Sequence, residues 1–100
     1  MKVLALEKET PGVTGDQFKP HLRAEAARVW ELSQAGVLRE IYFSQAEHTA
    51  VLILECADAA EAQQVLDTLP LVKAGLIAFK VIPLMPYSGL ARLFVEGGLQ

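Results

Sequence analysis

Glu25 and His21 stand four residues apart in the stretch "DQFKPHLRAEAARVWELSQAG". On a helix that spacing lets two side chains touch. A carboxylate beside an imidazole can relay a proton or share a metal ion. Two isolated histidines and one cysteine without recognisable spacing do not make a zinc site, so no metal is expected. The apolar residues Phe18, Leu22, Val29 and Leu32 follow the helical stripe, and the same spacing rule carries that stripe through position 25. If Glu25 lies on it, desolvation raises its pKa and suits it to moving a proton. If the stripe shifts by one residue to Ala26, Glu25 sits at the solvated edge and pairs with Arg28 or His21.

Arg39 and Tyr42 form the second candidate group, in "VLREIYFS". Three residues apart on a strand, they point to opposite faces. Arg39 alternates with Val37 and Ile41, so it is either a snorkelling edge residue or an anchor for a carboxylate. Tyr42 shares the other face with Glu40, where it can hydrogen-bond a ligand or pack in an interface. Glu55 shares the face of Val51 and Ile53 near a strand end. His48 falls in a solvated connection, and Lys73 and Lys80 are expected at solvated ends. Cys56 reads as buried and inert. Trp30 flanks the inner stripe, placed to pack under a loop or against a subunit. The chain has no Gly-rich phosphate loop, no G-x-S-x-G elbow and no H-E-x-x-H.

The elements that must position these residues follow from pattern. "VLAL" is a short strand and "ETPGVTG" a loop rich in turn residues. The helix from Asp16 closes at Gly36, and Pro20 belongs in or just after its first turn, where its missing N–H costs least. Val37–Ser44 and Thr49–Cys56 form strands joined by a short connection, hence an antiparallel hairpin. Asp58 and Glu61 make a capping-box-like start to a short helix that closes before Pro70, with Val65, Leu66 and Leu69 inward. "AGLIAFKVIPL" is the last strand. The order βαββαβ is the ferredoxin-like α+β unit.

Two helices cover only one face of a four-stranded sheet, yet these strands are apolar on both. Val51 and Ile53 oppose Leu52 and Leu54; Ile77, Phe79 and Val81 oppose Leu76, Ala78 and Ile82. An uncovered apolar sheet face marks an interface, and its natural cover is a second copy about a two-fold axis. The expectation is a homodimer with sheets face to face. Residues 1–88 make the domain. Residues 89–100 make a tail in which Leu90, Leu93 and Phe94 either pack on their own domain or reach a neighbouring subunit, and Gly97 and Gly98 imply a frayed end.

Composition narrows the partners. The chain has 100 residues, 52% hydrophobic and 21% charged, with net charge −3. This is a globular single domain without the basic run that nucleic acid or an anionic membrane would need. An RNA-recognition domain would carry a Gly-aromatic signature where "HTAVLILEC" stands. No window reaches the roughly 18 apolar residues of a membrane helix. One Cys excludes an internal disulfide, and a cytoplasmic protein is expected.

The segment from Leu22 to Tyr87 resembles the muconolactone isomerase-like branch of the dimeric α/β-barrel superfamily. "LRAEAARVWELSQAGVLRE" and "LDTLPLVKAGLIAFKVIPLMPY", with Gly36, Arg39 and the Leu69-Pro70-Leu71 corner, carry the resemblance. It implies a dimeric α/β barrel with a pocket between sheet and helices, and proton transfer on a small unsaturated lactone or carbonyl compound. Glu25 matches a helix carboxylate and becomes the candidate base. Arg39 matches an arginine that would hold a substrate carboxylate or developing enolate. His21, Phe18 and Leu22 join Arg39 as expected substrate-binding residues, with Tyr42 assisting Glu25; no cofactor is expected. The isomerases carry a histidine and a methionine in their first strand, which "VLALEKE" lacks, and this chain's tail is longer. Those departures leave open a non-catalytic ligand-binding or assembly module, and thirdly a monooxygenase or haem enzyme of the same superfamily, with His21 the one helix ligand.

Overall fold

The computed structural model describes residues 1–94; the expectation about Gly97 and Gly98 lies outside them. The elements run β1 (Lys2–Glu9), α1 (Gly15–Phe18), a 3-10 turn (Lys19–His21), α2 (Leu22–Gln34), β2 (Leu38–Phe43), β3 (Ala50–Glu55), α3 (Ala59–Leu66), α4 (Pro70–Lys73), β4 (Ile77–Pro83) and a 3-10 helix (Gly89–Leu93). The sheet has the order β2-β3-β1-β4 and is antiparallel throughout. This is the expected ferredoxin-like α+β arrangement.

Proline chemistry decides the local breaks. Pro20 has no N–H to give, so the first expected helix divides into α1, a 3-10 turn holding the proline, and α2. The Gln17 side chain accepts from Thr14 N–H at 2.7 Å and fixes the start of α1. Pro70 does not merely end α3. Its fixed φ suits a first helical position, and it opens the extra turn α4. Asp58 caps α3 by accepting from Glu61 N–H at 2.8 Å.

The two chain reversals into β2 and β4 share one device. Gly36 (φ +76°) donates to Ser33 O while Val37 donates to Leu32 O. Gly75 (φ +75°) donates to Val72 O while Leu76 donates to Leu71 O. Both are Schellman stops, which need a residue in the left-handed region just past the helix.

One face of the sheet is covered. Val3, Ala5, Leu52, Leu54, Ile77 and Phe79 are buried there against Leu32, Ala62, Leu66 and Leu69. Register partners on the opposite face join Leu4 with Ile53 and Ile82, and Leu6 with Val51 and Lys80. Its apolar centre (Leu4, Leu6, Val51, Ile53 and Ile82) is only half-buried, with Lys2, Glu40, Glu55 and Lys80 exposed around it. The N-terminal ammonium pairs with Glu55 at 3.4 Å on that rim.

The alternation expected for β2 needs correction. A register shift separates Leu38, opposite Leu54, from Glu40, opposite Ile53. Arg39 is the extra residue of this bulge. Ile41 therefore shares the helix-facing side with Leu38 and Phe43 rather than with Arg39. Cys56 is buried as expected, and Trp30 is 65% exposed on α2. In the tail, Met85, Tyr87, Leu90, Leu93 and Phe94 are exposed.

Leu66 is fully buried beneath α3, whereas Asp58 acts only at its end. Leu66→Ala is expected to lower unfolding free energy by about 3 kcal/mol. Asp58→Ala is expected to lower it by about 1 kcal/mol. Urea denaturation of both variants checks this; equal losses would contradict the assigned core.

Candidate functional site

Between α2 and the sheet lies a cavity of about 310 Å³. Its walls are mostly apolar: Leu22, Val29, Ile41, Leu52, Leu69 and Phe79 contribute. From α2, Leu22, Glu25, Ala26 and Val29 line the cavity. His21, Glu25, Arg28, Val29 and Leu32 form the inward side of the helix, and of these only Leu32 is fully buried. Opposite, Ile41 stays 43% exposed although it points to the helices.

Glu25 lines this cavity. The inner stripe thus passes through position 25, and Arg28 instead bonds Thr68 Oγ1 at 2.9 Å and Glu31 at 3.2 Å. Glu25 Oε1 accepts from Leu71 N–H at 3.0 Å. Leu71 follows Pro70 in the first turn of α4, where backbone N–H groups have no partner within the helix. Burial pushes the Glu25 carboxyl above its ordinary value of 4.5. The Leu71 N–H opposes this, the Glu7 carboxylate adds to it, and His21 pulls weakly downward.

Glu7 was not singled out from sequence. It lies on the helix-facing side of β1, opposite Phe79, and lines the same cavity. Its Oε1 accepts from Ala50 N–H at 2.9 Å. The reason is local. β1 and β3 pair only as far as Leu6 and Val51, while β1 continues along β4 to Glu9. Where the two strands part, the Glu7 side chain supplies the acceptor that a backbone carbonyl would have been. The signal in sequence was an acid continuing the alternation Val3, Ala5 by one more step.

The cavity opens into an outer recess of about 740 Å³ that shares Glu7, Leu22, Phe43 and Leu71 with it. Phe18 lines the recess, and Leu22 lines both spaces. His48, exposed as expected, stacks on Phe43 with ring centroids 4.1 Å apart at the rim. His21 is half-buried near Glu25 but lines neither space. Arg39 is exposed and folds back to donate to Gly36 O, away from both. Tyr42 is 58% exposed on the opposite face of the sheet and donates to Glu40 Oε1 at 2.7 Å. Glu25, Glu7 and Leu22 therefore come together in the cavity, with Phe18 in the adjoining recess, whereas Arg39 and Tyr42 do not join them. Among the described residues, no three His, Cys, Asp or Glu side chains gather to hold a metal ion.

A family model for muconolactone delta-isomerase matches residues 4–89. The chain belongs to the muconolactone delta-isomerase family. Two solved structures agree with this fold. One is a 5-chloro-2-hydroxyhydroquinone dehydrochlorinase from Burkholderia phenoliruptrix, in complex with 2,5-dihydroxybenzoquinone. It is 20% identical with TM-score 0.70, covering 87% of this chain and 96% of that one. The other is a muconolactone isomerase, 13% identical with TM-score 0.72, covering 88% of this chain and 92% of that one. No curated protein sequence matches the chain. At these identities the two structures share the fold. For this member of the muconolactone delta-isomerase family, the chemistry must be argued from its own cavity.

The raised pKa of Glu25 fixes the sign of a pH effect. Folding favours its neutral form, so that contribution is complete below the unfolded-state pKa and is lost as pH rises through the folded one. Glu25→Gln keeps an acceptor for Leu71 N–H and stays neutral. Urea midpoints measured across pH should show the wild type losing stability relative to Glu25→Gln as pH climbs from 4.5 through the raised value. A difference that stays flat or grows in favour of the wild type would contradict the desolvated placement.

Proposed function

We propose that this protein is a proton-transferring isomerase of a small unsaturated lactone or related carbonyl compound, with Glu25 as its base. The observation that carries this is a carboxylate held by one oxygen on Leu71 N–H while it lines an apolar cavity. Among the described residues Oε2 makes no hydrogen bond, so it is the oxygen that receives the proton. Burial lifts the basicity of the ionised group. The Glu25 carboxylate takes the acidic C–H proton beside the carbonyl, leaving a dienolate and a neutral carboxylic acid. The acid, free to exchange its proton with solvent, delivers a proton one vinylogous position away, and the double bond shifts. No other group is consumed. The muconolactone isomerase and the quinone-bound dehydrochlorinase among the structural neighbours support a small cyclic carbonyl compound as substrate.

The assembly belongs to the same reading. The apolar outer sheet face fits a homodimer with two sheets packed together, and Tyr42 then serves that interface rather than the chemistry. The exposed apolar side chains of the tail fit an arm that lies on a neighbouring subunit. The lone free Cys56 is compatible with a cytoplasmic protein.

Proton NMR in deuterated water, across a panel of unsaturated lactones and small β-dicarbonyl compounds, tests the chemistry. The wild type is expected to remove a C–H signal, and Glu25→Gln to slow this by at least about a hundredfold, the usual worth of a general base. Full activity in Glu25→Gln would refute the base assignment. No exchange in any compound would leave the cavity as a binding site alone. Light scattering at micromolar concentration should give a mass of at least two chains; a single-chain mass would refute the dimer.

A further inference from the structure

We propose that the cavity selects an uncharged carbonyl compound, a lactone or ketone without a free carboxylate, and that Glu7 is the residue enforcing this selection. The inference rests on reading the cavity as the binding site of a small carbonyl compound, and it names the class of that compound. The resemblance to the isomerases gives Arg39 a substrate carboxylate or the developing enolate to hold. The structure removes that anchor, because Arg39 sits in the β2 bulge with its guanidinium on the Gly36 carbonyl.

Among the described residues of one chain, no Lys, Arg or His lines the cavity in its place. Of the thirteen residues lining the cavity, the ionisable ones are Glu7 and Glu25. Of the cationic side chains around it, Arg28 is bonded to Thr68 and Glu31, Lys19 pairs with Asp16 at 2.9 Å, and His21 acts on Glu25 without lining the cavity. Backbone donors are used up too. Leu71 N–H and Ala50 N–H face the region and could have received an anion, but each is occupied by one of the two carboxylates. The approach repeats the bias, since the outer recess carries Glu9, Asp16 and Glu47 against Lys19 and His48.

The physical consequence is discrimination by repulsion. A compact space of about 310 Å³ is roughly 8 Å across, no more than about one Debye length at physiological salt, so a ligand carboxylate inside it is only partly screened from both acids. Desolvating that carboxylate without a partner adds to its disadvantage. Specificity built on an unpaired like charge is a general device. Glu25 is needed for proton transfer. Glu7 makes no contact that the transfer requires, and its second negative charge acts on the ligand.

The test is a pair of probes: a saturated five-membered lactone bearing an acetic acid side chain, as its methyl ester and as its free acid. Neither can isomerise, so calorimetry or NMR titration of the full chain at neutral pH reads binding alone. The ester is expected to bind the wild type at least tenfold more tightly than the acid. Glu7→Gln, which keeps an acceptor for Ala50 N–H, should tighten the acid several-fold and leave the ester within twofold. Equal or tighter binding of the acid overturns the proposal. So does an unchanged ratio in Glu7→Gln, or binding of neither probe at millimolar concentration. Acid binding lost in Arg92→Ala would also overturn it, by showing that a neighbouring tail brings the missing cation. Preference for the ester without turnover of any unsaturated lactone supports the selection while refuting the proposed reaction, so the two readings fail separately.

Discussion

The hydrogen bond from Leu71 N–H to the Glu25 carboxylate is the joint on which the site depends. A carboxylate turned toward an apolar sheet is costly unless a donor meets it. The donor here is backbone, and it is free because Leu71 stands in the first turn of α4. Pro70 creates that turn, and buried Leu69 and Leu71 hold it on either side. One residue type thus fixes where a donor appears, and the donor fixes where an acid can be tolerated. Arg28, bonded to Thr68 one turn further along α2, braces the same contact, since Thr68 in turn donates to Val65 O. Helix and corner are locked side by side, and the space they roof over is the cavity.

The opposite wall obeys the same logic. β1 leaves β3 after Leu6 but stays with β4, so an N–H at the start of β3 loses its expected backbone acceptor. Glu7 fills that role. Each acid is therefore structural with one oxygen and faces the cavity as a group. Mutating either to an apolar residue would unpair a backbone donor as well as remove a charge, which is why amide replacements separate the two effects.

Much of the fold was legible in the residues. Alternation in Val51–Leu54 marked both sheet faces, and Gly36 marked a helix stop. Asp58 marked a helix start, and the order of elements gave the topology. The helical stripe through position 25 was legible only as one of two phases, because alanines at 24, 26 and 27 carry no clear inward preference. What sequence hid were events set by pairing. The bulge at Arg39 arises from register between β2 and β3, and no local pattern in "VLREIYFS" announces it. Glu7 escapes the sequence pattern because the apolar run of β1 ends at Leu6. The strand in fact continues to Glu9, held by backbone pairing with β4 that does not depend on apolar side chains. Pro70 reads in sequence as a terminator, though proline equally well begins a turn.

The space beneath α2 has a consequence for what counts as the native state. Close packing is the norm inside proteins, and unfilled apolar volume forfeits contacts that would otherwise hold the layers together. Here Leu22 and Ile41 face the gap while remaining half open to solvent. A molecule lodged there supplies the missing neighbours, acting as a detachable core side chain. By mass action it then raises the apparent stability of the whole domain. The resting protein is in this sense an incomplete fold, and a ligand in the cavity would be the last part of it to be packed.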